Sequence, residues 1–170
     1  PAVTVPELTA PEGYIAAVDR AGYFEVTTLS ADDRNRADMY KQNARRAKLE
    51  QSFGNYNDYL KSLEMRCEIG AFDAAHAERI TQLVNKTNQF NLTTRRYTAA
   101  EIQALIGSPQ AITLYGRLVD KFGDNGLVTA LIGRVRGETL DIELWVMSCR
   151  TFKRRLEHAM FDQLVAAARA

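Results

Sequence analysis

The sequence predicts an α+β protein in which helices pack on a single sheet. Between residues 112 and 147, apolar and polar residues alternate along short stretches that are separated by glycine-containing turns. Before and after that region, apolar residues recur at helical spacing, as in Ile80, Leu83 and Val84. Hydrophobic residues make up 46% of the chain and charged residues 25%, which is ordinary for a folded domain with its own core.

The first 62 residues indicate a helical linker. A long polar helix is predicted over residues 31–52, and its narrow apolar stripe suits a helix that connects two bodies. Gly54 and Asn55 interrupt it, and a further short helix follows. We therefore divide the chain into a linker, residues 1–62, and a second domain, residues 63–170.

The second domain is predicted to begin with a strand at residues 65–69 and a helix that Asp73 caps. Thr98 and Glu101 form a capping-box pattern that opens another helix. An antiparallel meander at residues 112–119, 127–133 and 140–147 follows, and the last helix spans about residues 153–168. In the last strand, alternation predicts one apolar face, formed by Leu140, Ile142, Leu144 and Val146.

Composition narrows the classes of partner and compartment. The net charge of +1 gives no overall bias toward nucleic acid or an anionic membrane, and we expect neither partner. The sequence contains no run that could span a bilayer and no signal-peptide pattern. Cys67 and Cys149 lack metal-ligand spacing, so we predict reduced thiols, no metal in these residues and a cytoplasmic location. We also expect the lone His76 to be a surface residue rather than a ligand.

A polar segment, residues 85–97, lies between two predicted helices and contains neither glycine nor proline. Asn, Ser and Thr side chains favour caps and turns, so the segment is interpreted either as a capped joint between helices or as one lip of a binding cleft. Under the second interpretation the segment supplies six candidate substrate-binding residues, Asn85, Asn88, Gln89, Asn91, Thr93 and Arg95. Asn125, from the turn at residues 121–126, is a seventh candidate.

Several strings, together with the order of elements, resemble the C-terminal region of FkbH-like proteins of polyketide biosynthesis. They are the stretches at residues 24–40, 85–97, 122–128 and 147–150. The resemblance covers nearly the whole chain. Proteins of this family join a phosphatase domain of haloacid-dehalogenase subfamily IIIC to a domain similar to GCN5-related N-acetyltransferases (GNAT-like).

The resemblance implies an enzyme that loads a glyceryl unit from 1,3-bisphosphoglycerate onto an acyl carrier protein. It therefore implies an acyl carrier protein and the family's phosphatase domain as partners. The phosphatase loop Asp-x-Asp-x-Thr is not found in the sequence, so phosphatase chemistry is not expected of these residues. The family fold has a mixed sheet with flanking helices. We expect this sequence to form part of that fold, with a mixed sheet, ending after the helix of the pyrophosphate loop.

The resemblance also implies a site for the pantetheine arm of coenzyme A or of the carrier protein. The GNAT loop pattern Arg/Gln-x-x-Gly-x-Gly/Ala falls on residues 150–155, where Lys153 and Arg155 replace both glycines. The expected cofactor-binding residues are Met147, Ser148, Arg150, Lys153, Arg154 and Arg155. Cys149 is the candidate nucleophile, since it precedes a helix start rich in cations, although it also suits a small buried position.

Two functions remain open from the sequence. The first is an acyltransferase-like domain that engages pantetheine on a carrier protein. The second is a non-catalytic domain that positions the phosphatase half against its carrier. Because the family fold adds a strand beside residues 140–147, we also predict that this strand is an uncovered edge, that Trp145 lies near it, and that it joins two copies in a homodimer.

Overall fold

The computed structural model describes residues 10–20 and 36–169, and it divides the chain into two compact units, Pro1–Asp38 and Met39–Ala170. In the first unit a 3₁₀ turn, Pro11–Gly13, leads into helix α1, Tyr14–Arg20. The predicted start of the long helix at Ala31 lies outside the described residues.

The second unit holds the sheet and the helices around it. Its helices begin with α2, Arg36–Glu50, whose first three residues belong to the first unit, and continue with α3, Tyr56–Ser62, α4, Ala77–Lys86, α5, Ala99–Leu105, and α6, Leu156–Arg169. Its strands are β1, Arg66–Gly70, β2, Ile112–Asp120, β3, Gly123–Arg136, and β4, Thr139–Met147. The predicted α+β class and the order of elements are confirmed.

The four strands lie in sequence order, β1-β2-β3-β4, and every neighbouring pair is antiparallel. The expected mixed sheet is therefore wrong for the described residues. Short hairpins join β2 to β3 and β3 to β4, and a hairpin leaves room for antiparallel pairing alone. The first hairpin is tighter than predicted, because β3 already begins at Gly123, whose φ of 145° suits glycine.

A bulge in β4 divides the face that the alternation predicted. Ile132 pairs with Leu144 but Gly133 pairs with Ile142, so that Glu143 is an extra residue in β4. Leu144 consequently packs on the side of α4 and α5, whereas Ile142 packs on the side of α6. The prediction of one continuous apolar face on this strand is wrong for that reason.

Three apolar clusters hold the second unit together. One face of the sheet packs on α4 and α5, and the other packs on α6 through Leu156, Met160 and Leu164. The third cluster centres on Tyr59, Leu60 and Leu63, at the end of β2 where Lys121 donates its N–H to the Leu63 carbonyl at 3.0 Å. The sheet is thus covered on both faces.

Local signals account for where the helices start. Thr98 and Glu101 form the predicted capping box at α5. The last helix starts at Leu156 rather than at residue 153, because Lys153 and Arg155 have φ values of 64° and 60°. That left-handed conformation cannot continue a right-handed helix.

The outer edge of β4 was predicted to be uncovered, but the polar segment pairs with it. Leu92 donates its N–H to the Trp145 carbonyl at 3.2 Å, and Met147 donates its N–H to the Phe90 carbonyl at 3.1 Å. Asn91 and Val146 form the antiparallel bridge between these bonds. Trp145 is only 8% exposed and packs edge-on against Phe90. Residues 145–147 therefore offer no uncovered strand edge for the dimer contact that was predicted there.

Candidate functional site

The candidate nucleophile Cys149 lies in a 3₁₀ turn, Cys149–Thr151, directly after β4. The turn is held by a hydrogen bond of 2.7 Å from the Ser148 N–H to the Val128 carbonyl. Cys149 is exposed, and neither histidine of the chain is hydrogen-bonded to it, since His76 contacts Asp73 and His158 lies near Glu157. Among the described residues, the turn therefore presents a thiol that has no hydrogen-bonded histidine to act as its base.

Beyond the turn, two residues of the loop at 150–155 have a glycine-like backbone conformation although they carry large side chains. Lys153 and Arg155, the positions at which the family pattern has glycine, are both left-handed. Helix α3 contacts this loop twice, because the Tyr56 hydroxyl donates to the Lys153 carbonyl at 2.7 Å and Arg155 donates to the Asn57 side chain at 2.6 Å. Burial of the Tyr56 hydroxyl raises its pKa.

Arg154, expected to bind a cofactor, points instead into the protein. Its guanidinium donates to Asp120 Oδ2 at 2.9 Å, and the Asp120 side chain is fully buried. Arg46 from α2 donates to both oxygens of the same carboxylate, at 2.8 and 2.9 Å. Asn125, expected to bind substrate, is 4% exposed and bonded to Asp120 at 3.3 Å. Arg154 neutralises this buried carboxylate and Asn125 donates a hydrogen bond to it, and the binding roles expected of the two residues stay predictions.

Opposing effects act on the protonation of this buried cluster. Burial would raise the pKa of the Asp120 carboxyl, but hydrogen bonds from Arg46 and from the Phe122 N–H outweigh burial and hold the pKa below its ordinary value. Burial, followed by the nearby charge of Arg46, lowers the pKa of the Arg154 guanidinium. The carboxylate is therefore ionised between two cations.

The remaining cofactor candidates hold the end of β4. Met147 is 2% exposed within the α6-side core, and its N–H is the donor to Phe90. The Arg150 Nε donates to the Ser148 hydroxyl at 3.2 Å, and its guanidinium contacts the Met39 sulfur of α2. These contacts fix the turn that carries Cys149.

Side chains of the polar segment are largely used to satisfy its own backbone. Asn85 donates to the Tyr97 carbonyl at 2.7 Å, and Arg96 donates to the Val84 and Thr87 carbonyls at the end of α4 and to Asn88. Asn91 accepts from the Thr94 N–H at 2.9 Å. These bonds match the capped-joint interpretation.

Two further candidates of the segment contact the bulge of β4. The Thr93 hydroxyl donates to the Glu143 carbonyl at 2.7 Å. Arg95 lies 3.6 Å from the Glu143 carboxylate, which Arg134 also approaches to 2.8 Å, and stacks over the Tyr97 ring. Gln89, the last candidate, is exposed. The structure thus brings the segment to the end of β4, two residues from Cys149.

A pantetheine arm does not fit these residues in the way that the resemblance implies. It would pair with backbone groups on the outer edge of β4, where the Trp145 carbonyl and the Met147 N–H already bind residues 90–92. Its phosphate would approach bare backbone, where Lys153 and Arg155 carry side chains. Arg154, the cation between them, is held by Asp120.

Two features were missed by the sequence reasoning. The Arg46–Asp120–Arg154 cluster joins residues that are far apart in the chain, so no local sequence pattern predicts it. His76 is half-buried rather than on the surface, with Nδ1 2.9 Å from Asp73 and its ring stacked on Tyr115 at 4.4 Å.

An open cleft of about 610 Å³ lies beside the loop at residues 150–155. It is lined by Asn57, Leu60, Lys61, Glu64, Met65, Arg154 and Arg155.

No protein-family model, curated protein or solved structure matches this chain. Among residues 10–20 and 36–169, no helix is long and apolar enough to cross a membrane. Within the same residues, no three His, Cys, Asp or Glu side chains come together as metal ligands.

Proposed function

We propose that this chain is the carrier-protein-engaging domain of an FkbH-like glyceryl-loading enzyme, and that it works by binding rather than by making bonds. In this proposal it positions an acyl carrier protein relative to the phosphatase half of the enzyme. The observation that carries the binding role is the pairing of residues 90–92 with β4, which occupies the groups that a pantetheine arm would need.

The charge of the loop and polar segment supports an acidic protein partner. Lys86, Arg95, Arg96, Lys153 and Arg155 are all exposed there. Exposed cations at a rim steer an acidic partner and fix its orientation more than they add affinity. The absence of a hydrogen-bonded histidine at Cys149 in the described residues agrees with a role that involves no covalent step.

Calorimetry with an acyl carrier protein of a modular polyketide synthase tests this proposal. The carrier is titrated into the full chain in its unmodified form and in its phosphopantetheinylated form, and acetyl coenzyme A is titrated separately. We expect the dissociation constants of the two carrier forms to lie within about threefold of each other, which corresponds to about 0.7 kcal/mol of binding free energy. The reason is that residues 90–92 already occupy the groups on β4 that a pantetheine arm would need. No binding of either carrier form would overturn the proposal.

A matched pair of variants tests the charge argument. Lys153→Glu places a negative charge in the exposed loop, whereas Lys48→Glu makes the same change on the exposed surface of α2. We expect Lys153→Glu to weaken carrier binding about fivefold to tenfold, and this loss of affinity should be larger at lower salt concentration. We expect Lys48→Glu to leave carrier binding unchanged.

The acyltransferase-like, pantetheine-engaging role is the second candidate, and the left-handed φ at Lys153 and Arg155 favours it. A positive φ is a conformation that glycine adopts freely and that residues with a side chain adopt rarely. For pantetheine to reach β4, residues 90–92 would have to leave its edge.

The variant Leu92→Pro separates the two candidates, because proline has no N–H to donate to the Trp145 carbonyl. Leu92→Ala is the control, since it removes a 58% exposed side chain and keeps the N–H. Tighter binding of the phosphopantetheinylated form to Leu92→Pro alone, or binding of acetyl coenzyme A, would favour the second candidate. Equal binding of both carrier forms to both variants supports the first.

A further inference from the structure

In the part of the chain that the structure describes, the outer edge of β1 has no strand paired with it. β1 pairs with β2 alone, and no other strand or bridge among residues 10–20 and 36–169 lies beside it. The opposite edge, on β4, is partly paired by residues 90–92. The first three residues of β1 are exposed, namely Arg66, Cys67 and Glu68. Such an edge presents backbone N–H and C=O groups to any strand that matches it.

The sequence of this edge is self-complementary. Residues 65–69 read Met-Arg-Cys-Glu-Ile, so an apolar residue, a charged residue, a cysteine, an oppositely charged residue and an apolar residue follow in order. An antiparallel pairing of two copies about Cys67 would set Arg66 opposite Glu68 of the second copy, and Glu68 opposite its Arg66. Met65 would likewise lie opposite Ile69. No residue in this register meets a like charge.

We propose that β1 is a self-association surface, at which two copies of this chain pair antiparallel about a two-fold axis at Cys67. The two sheets then form one sheet of eight strands, four from each copy. The proposal is independent of the proposed function, since it concerns the edge far along the sheet from β4.

The two faces of β1 support this register. Met65 and Ile69 pack against the α6-side cluster, and the Cys67 sulfur lies on the same side, 3.9 Å from where a Cβ on Gly116 would be. Pairing in this register would continue that apolar strip into the second copy. On the other face, the Tyr115 hydroxyl donates to Glu68 at 3.2 Å and holds the carboxylate in place. Alternation places Arg66 on that face too, so both cross-strand ion pairs would form there.

The register brings the two Cys67 residues directly opposite each other. Opposed residues of an antiparallel pair have Cα atoms about 4.5–5.5 Å apart, which lies within the range that a disulfide can bridge. Burial raises the pKa of the Cys67 thiol, so an added oxidant serves the test better than air. Diamide takes up the two electrons and two protons that two thiols release.

Cross-linking with diamide tests the register on the full chain. We expect a covalent dimer from the wild type and from Cys149→Ser, and none from Cys67→Ser. Cys149 is also exposed and so provides the matched control. A dimer that persists in Cys67→Ser, or is lost in Cys149→Ser, would overturn the proposal.

Charge reversal tests the two ion pairs without any cross-link. Arg66→Glu and Glu68→Arg each place like charges opposite each other twice, and we expect each to weaken dimerisation about tenfold. The double variant Arg66→Glu with Glu68→Arg restores opposite charges at both positions and should recover it. Light scattering over a concentration series gives the dissociation constants, and circular dichroism checks folding. A wild type that stays monomeric at high concentration, or a double variant no stronger than the single ones, would contradict the two-fold pairing.

Discussion

Arg46 and Asp120, 74 residues apart in the chain, form a buried two-point ion pair. The guanidinium donates through Nε and Nη2 at 2.8 and 2.9 Å, and the Asp120 side chain is fully buried. Arg154 binds the same carboxylate at 2.9 Å. Asp120 thereby joins α2, the hairpin after β2 and the loop before α6, so it connects the linker helix to the loop after Cys149.

Removing the carboxylate should destabilise the protein strongly. Asp120→Ala leaves two buried guanidinium groups without their counter-charge, and we expect a loss of about 3–5 kcal/mol in the free energy of unfolding. Urea denaturation followed by circular dichroism measures it. The control is Asp124→Ala, which breaks an exposed pair with Arg117 and should cost about 1 kcal/mol or less. Equal losses in the two variants would contradict the role of the buried pair.

The same carboxylate should make stability depend on pH in the acid range. The pKa of Asp120 is lowered in the folded protein, so the unfolded chain binds the proton more readily. The stability from this group is therefore fully present above the unfolded pKa, about 3.9, and is lost as the pH falls through the lower folded pKa. Urea denaturation at a series of pH values from 6 down to about 2 checks this, and Asp120→Asn should flatten the curve below about pH 4. A variant curve parallel to the wild type would contradict the assignment.

Gly116 should not tolerate a side chain. A Cβ there would lie 2.5 Å from the Thr129 methyl carbon and 3.1 Å from the Met160 sulfur. We expect Gly116→Ala to lose about 1–3 kcal/mol through overpacking, measured by thermal and urea unfolding. Adding Thr129→Ser removes that methyl, keeps a hydroxyl for the Val146 carbonyl, and should recover part of the loss. Gly54→Ala is the control, since no atom lies within 4 Å of its Cβ.

Lys153→Gly should stabilise the protein. Lys153 has a φ of 64°, which costs a residue with a side chain about 1–2 kcal/mol, whereas glycine adopts it freely. After the greater entropy of glycine in the unfolded chain is subtracted, we expect a gain of about 0.5–1 kcal/mol in urea denaturation. The Tyr56 hydrogen bond goes to the Lys153 carbonyl and is kept. Lys61→Gly within α3 should instead lose about 1 kcal/mol; a loss in Lys153→Gly would contradict the predicted strain.

The sequence by itself determined which elements form and in what order. Alternation marked β2 and β4, helical spacing marked α4, and the Thr98–Glu101 pattern marked the start of α5, because each signal lies within a few residues of the chain. The polar segment was also identified from composition alone, with a capped joint as one of the two interpretations that the sequence left open. Local periodicity and capping chemistry are enough for such predictions.

Only the tertiary structure decided what the candidate site residues contact. Arg154 and Asn125 are polar, and the sequence placed them in a site, but both are bonded to a carboxylate that comes from the end of β2. The bulge at Glu143 reversed the faces of Leu140 and Ile142, because one extra residue inverts a period of two. The outer edge of β4 is paired by a segment some 50 residues earlier in the chain, a contact that no local pattern contains. Burial, charge pairing and strand edges are long-range properties, and they decided which groups of this protein remain available to a partner.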